Sequence, residues 1–228
     1  VTARGTGTSS QYYTFALSSI YGCDVKNNVI TSHGRFSDSG VRISCGGSQP
    51  STVIGNTFTF MHGDPSLYIA SCNNQTVEVY DNHFTGNSAQ MIRLISDADI
   101  RGNVIEMTSG ASYGITLENS GLVPTIYNNT LVSLSGSQDG IYISSMVSVD
   151  IQNNIFVGMV DAIDNNSNSE PYVRFNNFYN ISDDFIEGVS PDYLGDFIYT
   201  NDSGTPIDAY NNMSIDPLFT DYDGGDYS

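Results

Sequence analysis

The chain has 228 residues, 39% of them hydrophobic and only 14% charged, which excludes a charge-driven disordered chain and leaves enough length for a well-packed core. Seven basic against 25 acidic side chains give a formal charge of −18, a field that repels phosphate backbones and excludes nucleic acid as a partner. No apolar run reaches the roughly 18 residues of a membrane-spanning helix, so no membrane span is expected in this chain.

Residues 1–20 read as an entering segment or a partial first coil. From Tyr21 onward one pattern recurs: a branched aliphatic, two free positions, Asn, one free position, then a large apolar residue. Its copies are centred on Asn28, Asn56, Asn82, Asn103, Asn129, Asn154 and Asn176, at a mean spacing of about 25 residues, with a degenerate eighth near Asn211-Asn212. A second pattern keeps the same phase: Gly40-Val41-Arg42-Ile43, Leu67-Tyr68-Ile69, Ile92-Arg93-Leu94, Gly114-Ile115-Thr116-Leu117, Gly140-Ile141-Tyr142-Ile143, Ala162-Ile163 and Asp184-Phe185-Ile186. Period-two alternation over three to five residues predicts short half-buried strands, about three per repeat, parted by Gly, Ser, Asn and Asp turns.

Such a unit cannot bury a face alone; stacked coil on coil, each strand pairs in parallel with its equivalents roughly 4.8 Å away. The expected fold is therefore all-β: a right-handed parallel β-helix of about seven to eight coils, three strands per coil. Val25, Val53, Val79, Ile100, Ile126, Ile151 and Val173 make one inner ladder. Val41, Leu67, Ile92, Ile115, Ile141 and Ile163 make a second, and the row from Ile30 through Phe58 and Phe84 to Phe178 a third. The asparagines form an internal ladder that satisfies the polar backbone of a sharp corner. The core is placed at residues 21–187 and a C-terminal coil with a capping segment at 188–228. Val1 opens without a signal-peptide pattern and Ser228 ends without an evident cap. The chain thus reads as a piece of a larger protein, covalently continuous with further domains. Cys23, Cys45 and Cys72 read as buried thiols, with one bridge plus a spare as the alternative.

These repeats resemble the pectin-lyase-like superfamily of right-handed parallel β-helices over roughly Tyr21 to Ile186. The Asn/Tyr/Ser-rich, Lys-poor texture also resembles the β-helix domain associated with disaggregatases, methanogen surface enzymes that degrade a chondroitin-like polysaccharide. The resemblance implies a secreted or cell-surface protein that acts on or binds a polysaccharide, with the Gly-Ile-x-Ile strands and their preceding loops lining the groove.

On those strands the outward row reads Arg42, Tyr68, Arg93, Thr116, Tyr142 and Asp164. Arginine binds carboxylate or sulfate through two parallel hydrogen bonds, and tyrosine offers a sugar both an apolar face and a hydroxyl. The bland alternative is ordinary polar and aromatic cover of a solvated strand. The loops feeding the row carry His33, Arg35 and Asp38 in one coil and His62 and Asp64 in the next. Histidine titrates near neutrality, so His33 or His62 as base, Arg42 or Arg93 as charge neutraliser and Tyr68 as acid make a set for β-elimination at a uronate. Loop histidines packed on glycine turns are the alternative; His83 lies on a different wall and stands outside the set. Arg35, Asp38, Asp64, Thr116, Tyr142 and Asp164 are the expected substrate contacts. Asp38, Asp64, Asp139, Asp161 and Asp183 precede the groove strands. They offer a hydrolase its paired carboxylates, or calcium an oxygen ligand, or simply bond turn backbone.

The strand before each Asn corner alternates acid and base, as in Asp24 with Lys26 and Asp99 with Arg101, and reads as a charge-compensated solvent face. A second sugar face on Tyr80 and Tyr127 is the sharper alternative. Near the C-terminus Asp221, Asp223 and Asp226 surround a Gly pair and form a candidate calcium site. The leading expectation is a carbohydrate-active domain for an acidic polysaccharide, a lyase if catalytic. Its rivals are a non-catalytic glycan-binding, adhesin or structural module and a glycoside hydrolase with paired Asp.

Overall fold

The computed structural model describes residues 2–3, 12–20, 22–32, 38–45, 49–60, 65–70, 72, 75–118, 123–145, 148–222 and 224–227. They form a right-handed, all-parallel β-solenoid with three sheets of eight, eight and seven strands. Within a coil the chain runs through the third sheet, turns at the asparagine, crosses the first sheet and then the second. Asp99↔Thr125, Phe84↔Ile105 and Arg93↔Thr116 show the coil-to-coil register on the three walls. Strands Thr2–Ala3 and Tyr12–Ile20 continue the first and second sheets beyond the first full coil.

The three expected inner ladders are the core. Val53, Val79, Ile100, Ile126 and Ile151 are fully buried on one wall, Leu67, Ile92, Ile115, Ile141 and Ile163 on the second, and Phe58, Phe84, Phe156 and Phe178 on the third. Identical side chains meet across coils: the rings of Phe58 and Phe84 stack at 4.5 Å with 6° between planes. Gly140, second in strand Asp139–Ile143, has to be glycine because a Cβ there would lie 2.4 Å from the carbonyl oxygen of Ala162 and 2.9 Å from Phe156.

The asparagines stand in single file. Asn103, for example, donates both its backbone N–H and its Nδ2 to Asn129 Oδ1 at 3.0 and 2.9 Å, and Nδ2 also reaches the carbonyl of Val79 at 2.9 Å. The same bonds run from Asn28 through Asn176 to Asn212, so the degenerate eighth copy joins the file. The corner needs a left-handed residue just before each ladder asparagine. Asn27, Gly55, Asp81, Gly102, Asn128, Asn153, Phe175 and Asn211 fill it, with φ between 52° and 64°. Seven of the eight are the residue types that tolerate that region; Phe175 is not.

Cys72 is disulfide-bonded and Cys23 is a free thiol, which corrects the expectation of buried thiols in favour of one bridge plus a spare. After the last coil the chain turns back over the outside of the first sheet. Asn177 exchanges two bonds with Ile215, and Tyr227 reaches Glu106 at 2.7 Å, three coils away. The returning segment encloses an open cavity of about 390 Å³ lined by Val157, Tyr179, Phe219 and Tyr222.

Candidate functional site

The outer face of the second sheet carries the row of side chains expected from the repeats. Strand register places Arg42, Tyr68, Arg93, Thr116, Tyr142, Asp164 and Glu187 in one row up the stack. A second row beside it holds Gln90, Tyr113 and Asp139. With rungs about 4.8 Å apart, the side chains of each row recur at that spacing along the solenoid.

The row is divided by charge. At one end Tyr68 lies between two guanidinium groups, with Arg42 Cζ 5.5 Å and Arg93 Cζ 5.0 Å from its ring centroid. Arg93 also donates from Nε and Nη2 to Glu118 Oε2 at 2.9 and 2.6 Å, so its fork already holds a carboxylate. At the other end Tyr113 and Tyr142 stack at 4.7 Å, and Asn166 donates to Tyr142 Oη at 3.4 Å.

Beyond them stand Asp139, Asp161, Asp164 and Glu187. Burial pushes the Asp139 carboxyl up to about 6, and the like charges of Asp161, Asp164 and Glu187 push the same way against a backbone hydrogen bond. Asp164 is raised by burial and by Asp161, and Glu187 by Asp161 and Asp164. Two of the aspartates do turn work as well. Asp139 Oδ1 accepts the Asp161 N–H at 3.2 Å, and Asp161 Oδ1 accepts the Asp184 N–H at 2.9 Å.

Thr116 is on the expected row but does not reach solvent: its side chain is fully buried and its Oγ1 has no partner among the described residues. Its neighbours in the register are the longer Arg93 and Tyr142. Buried in this way, Thr116 offers no surface to a ligand. His33, Arg35, His62, Asp64 and Asp223 lie outside the described residues. Asp38 is placed by its backbone in strand Asp38–Cys45.

The other two walls are occupied differently. On the third sheet the acids and bases pair as expected for a charge-compensated face: Lys26 with Asp24 at 2.9 Å, and Arg101 with Asp99 at 2.9 Å and Glu78 at 3.5 Å. Arg101 also lies over Tyr80 at 4.4 Å. On the first sheet His83 Nε2 is 3.0 Å from Glu106 Oε2, and Thr85 and Tyr227 donate to the same carboxylate. Sequence reasoning set His83 aside and missed Glu106. The signal was a lone acid in an outward row of Thr59, Thr85, Val132 and Val157. Asp221 and Asp226 face each other across an antiparallel bridge, with Asp221 Oδ1 accepting the Gly224 N–H at 3.0 Å. Among the described residues no three His, Cys, Asp or Glu side chains are grouped to hold a metal ion.

A three-walled right-handed parallel solenoid is a fold like that of the pectin-lyase superfamily. Residues 2–190 match the family model described as periplasmic copper-binding protein (NosD), and the chain belongs to that family. No curated protein and no solved structure matches it.

Proposed function

We propose that this chain is an extracytoplasmic glycan-binding solenoid that takes an acidic polysaccharide along the outer face of its second sheet. The observation that carries the reading is the Arg42–Tyr68–Arg93 stack in line with the Tyr113–Tyr142 pair. It combines charge for a carboxylate or sulfate with aromatic faces for sugar rings, at the rung spacing of a linear polymer. The net charge of −18 opposes a polyanion, and the reading requires the two guanidiniums to focus positive potential locally. The periplasmic family and the disulfide at Cys72 both support an oxidising compartment outside the cytoplasm.

The resemblance to the disaggregatase-associated domain makes chondroitin oligosaccharides the first probe. Binding is to be measured by calorimetry for the wild-type chain and for Tyr68→Ala, with and without calcium. Loss of affinity in Tyr68→Ala supports the groove, and an unchanged affinity rejects it. Ultraviolet absorbance of an unsaturated product during the same incubation would make the module a lyase using His33 or His62. Reducing ends without that absorbance would point to a hydrolase working through Asp139 and its acidic neighbours.

The family's description makes copper the rival ligand. The described residues do not fit it. His83 has a single carboxylate beside it, and that carboxylate is already bonded by Thr85 and Tyr227. Met91, Met107 and Met159 are sealed in the core. Equilibrium dialysis against copper(I) and copper(II) tests the rival directly.

A further inference from the structure

We propose that Tyr172, Arg174 and Phe175 form a second carbohydrate-contact site, on the outer edge of the third sheet, for an acidic pyranose ring. It stands apart from the second-sheet groove and does not depend on it.

The corner before each ladder asparagine demands a left-handed residue, and seven of the eight corners use Asn, Asp or Gly. Phe175 takes the same conformation at φ 58°. A bulky side chain there crowds its own backbone, and an asparagine would serve the ladder without that strain. Packing does not compensate, because 45% of Phe175 is exposed and it is not part of the buried core. Its backbone N–H bonds the Tyr210 carbonyl at 3.2 Å, which any residue except proline would do. What Phe175 adds at this corner over an asparagine is its ring, and the residue is partly exposed.

What surrounds it has the composition of a sugar subsite. Tyr172 is 48% exposed, and Arg174 Cζ lies 4.4 Å from the Tyr172 ring centroid and 5.9 Å from that of Phe175. Arg174 Nη1 donates to Tyr172 Oη at 3.1 Å, which fixes the guanidinium across the two aromatic side chains. Its ion pair with Asp150 is long, at 4.0 Å, in contrast to the 2.6 Å contact of Arg93 with Glu118. Two exposed rings give stacking area for the apolar face of a pyranose, and a guanidinium between them recognises its carboxylate or sulfate. Tyr172–Arg174 is the last strand of its sheet, and the C-terminal segment bonds its inner edge through Asn212 and Tyr210 while Tyr172 and Phe175 stay partly exposed.

The test separates a strained binding residue from a packing residue. The wild-type 228-residue chain, Phe175→Asn and Tyr68→Ala are melted and titrated with chondroitin hexasaccharide. Relief of strain should raise the melting temperature of Phe175→Asn by about 3 °C. Adding Phe175→Asn to Tyr68→Ala should weaken, by about tenfold or more, the binding that Tyr68→Ala leaves intact. A lower melting temperature in Phe175→Asn overturns the proposal, because the ring is then packing. An affinity in the double variant equal to that of Tyr68→Ala overturns it too, as does complete loss of binding in Tyr68→Ala or no binding by the wild-type chain. Failure of the groove reading looks different: Tyr68→Ala then binds as the wild type does.

Discussion

Asn212 donates its side-chain Nδ2 to Asp208 Oδ2 at 3.0 Å, and this bond ends the asparagine file on a buried carboxylate. Each earlier ladder amide donates forward to the Oδ1 of the next asparagine and back to a backbone carbonyl of the coil before it, as Asn103 does to Asn129 and Val79. Asn212 keeps the backward bond to the Val173 carbonyl, and Asp208 takes the place of the next asparagine as its forward acceptor. Asp208 does more than receive one bond. Its Oδ1 accepts the N–H groups of Tyr210 and Asn212, each at 2.8 Å, and its Oδ2 accepts that of Gly195 at 3.0 Å.

Asp208→Ala should therefore be among the most damaging single changes in the C-terminal coil. It strands several buried donors at once and leaves the Asn212 amide without its anion, a loss of about 3–5 kcal/mol. Asp208→Asn keeps one acceptor oxygen and should fall between the variant and the wild type. Thermal unfolding followed by circular dichroism gives the order. If Asp208→Ala melts with the wild type, the carboxylate is not what closes the ladder.

The C-terminal return is held by a second buried acid, and it should let go in mild acid. Burial of Glu106 opposes its ionisation, but the His83 imidazole 3.0 Å away and hydrogen bonds from Thr85 and Tyr227 outweigh it and lower the carboxyl from its ordinary 4.5 to about 2. A depressed folded-state value means the stabilisation is complete above pH 4.5 and disappears as pH falls toward 2. Its size is about 1–2 kcal/mol at neutral pH once solvent screening is allowed for. Melting temperature against pH between 5 and 2 should fall steeply for the wild type and less for Glu106→Gln. Tyr227→Phe removes one donor and should give an intermediate slope. Equal slopes in all three would remove Glu106 as the anchor.

Arg93 and Glu118 make an internal copy of the contact proposed for the substrate. The two bonds to Glu118 Oε2 occupy the fork of the guanidinium that an acidic sugar would otherwise use. Glu118→Gln should free it and tighten binding of chondroitin oligosaccharides about threefold to tenfold. The gain should shrink as salt rises from 50 to 200 mM, on the order of a halving of the Debye length. Weaker binding in Glu118→Gln would mean that Glu118 orients Arg93 for the ligand and does not compete with it.

What could be read in the sequence follows from which contacts repeat. Val79, Ile100 and Ile126 each meet their own equivalents one coil away, so a 25-residue spacing is enough to place them. The asparagine file is legible for the same reason. Position on the outward row was legible for Arg42, Tyr68 and Arg93, but the burial of Thr116 was not. Burial depends on the length of two neighbours that are distant in sequence. Glu106 with Tyr227 is a single non-repeating contact across 121 residues, and a period cannot reveal it. The left-handed corner was visible in principle: Asn, Asp or Gly precedes nearly every ladder asparagine, and counting that position as free hid the exception at Phe175.

Asp139 should make the second sheet more stable in mild acid than at neutrality. Burial, reinforced by Asp161, Asp164 and Glu187, raises its folded-state value from 3.8 to about 6. A raised value on an acid means the folded state takes up a proton more readily than the unfolded chain. The associated stability is fully present below pH 3.8 and is lost as pH climbs through 6. Asp139→Asn removes the charge yet keeps an oxygen for the Asp161 N–H, so the turn is preserved. At pH 7 the variant should be more stable by about 1 kcal/mol once solvent screening of this half-buried group is allowed for. Between pH 4 and 7 its melting temperature should also be flatter than that of the wild type. Denaturant titrations at pH 4 and pH 7 decide it: a variant that is less stable than the wild type at pH 7 would mean the Asp139 carboxylate is held by a compensating cation.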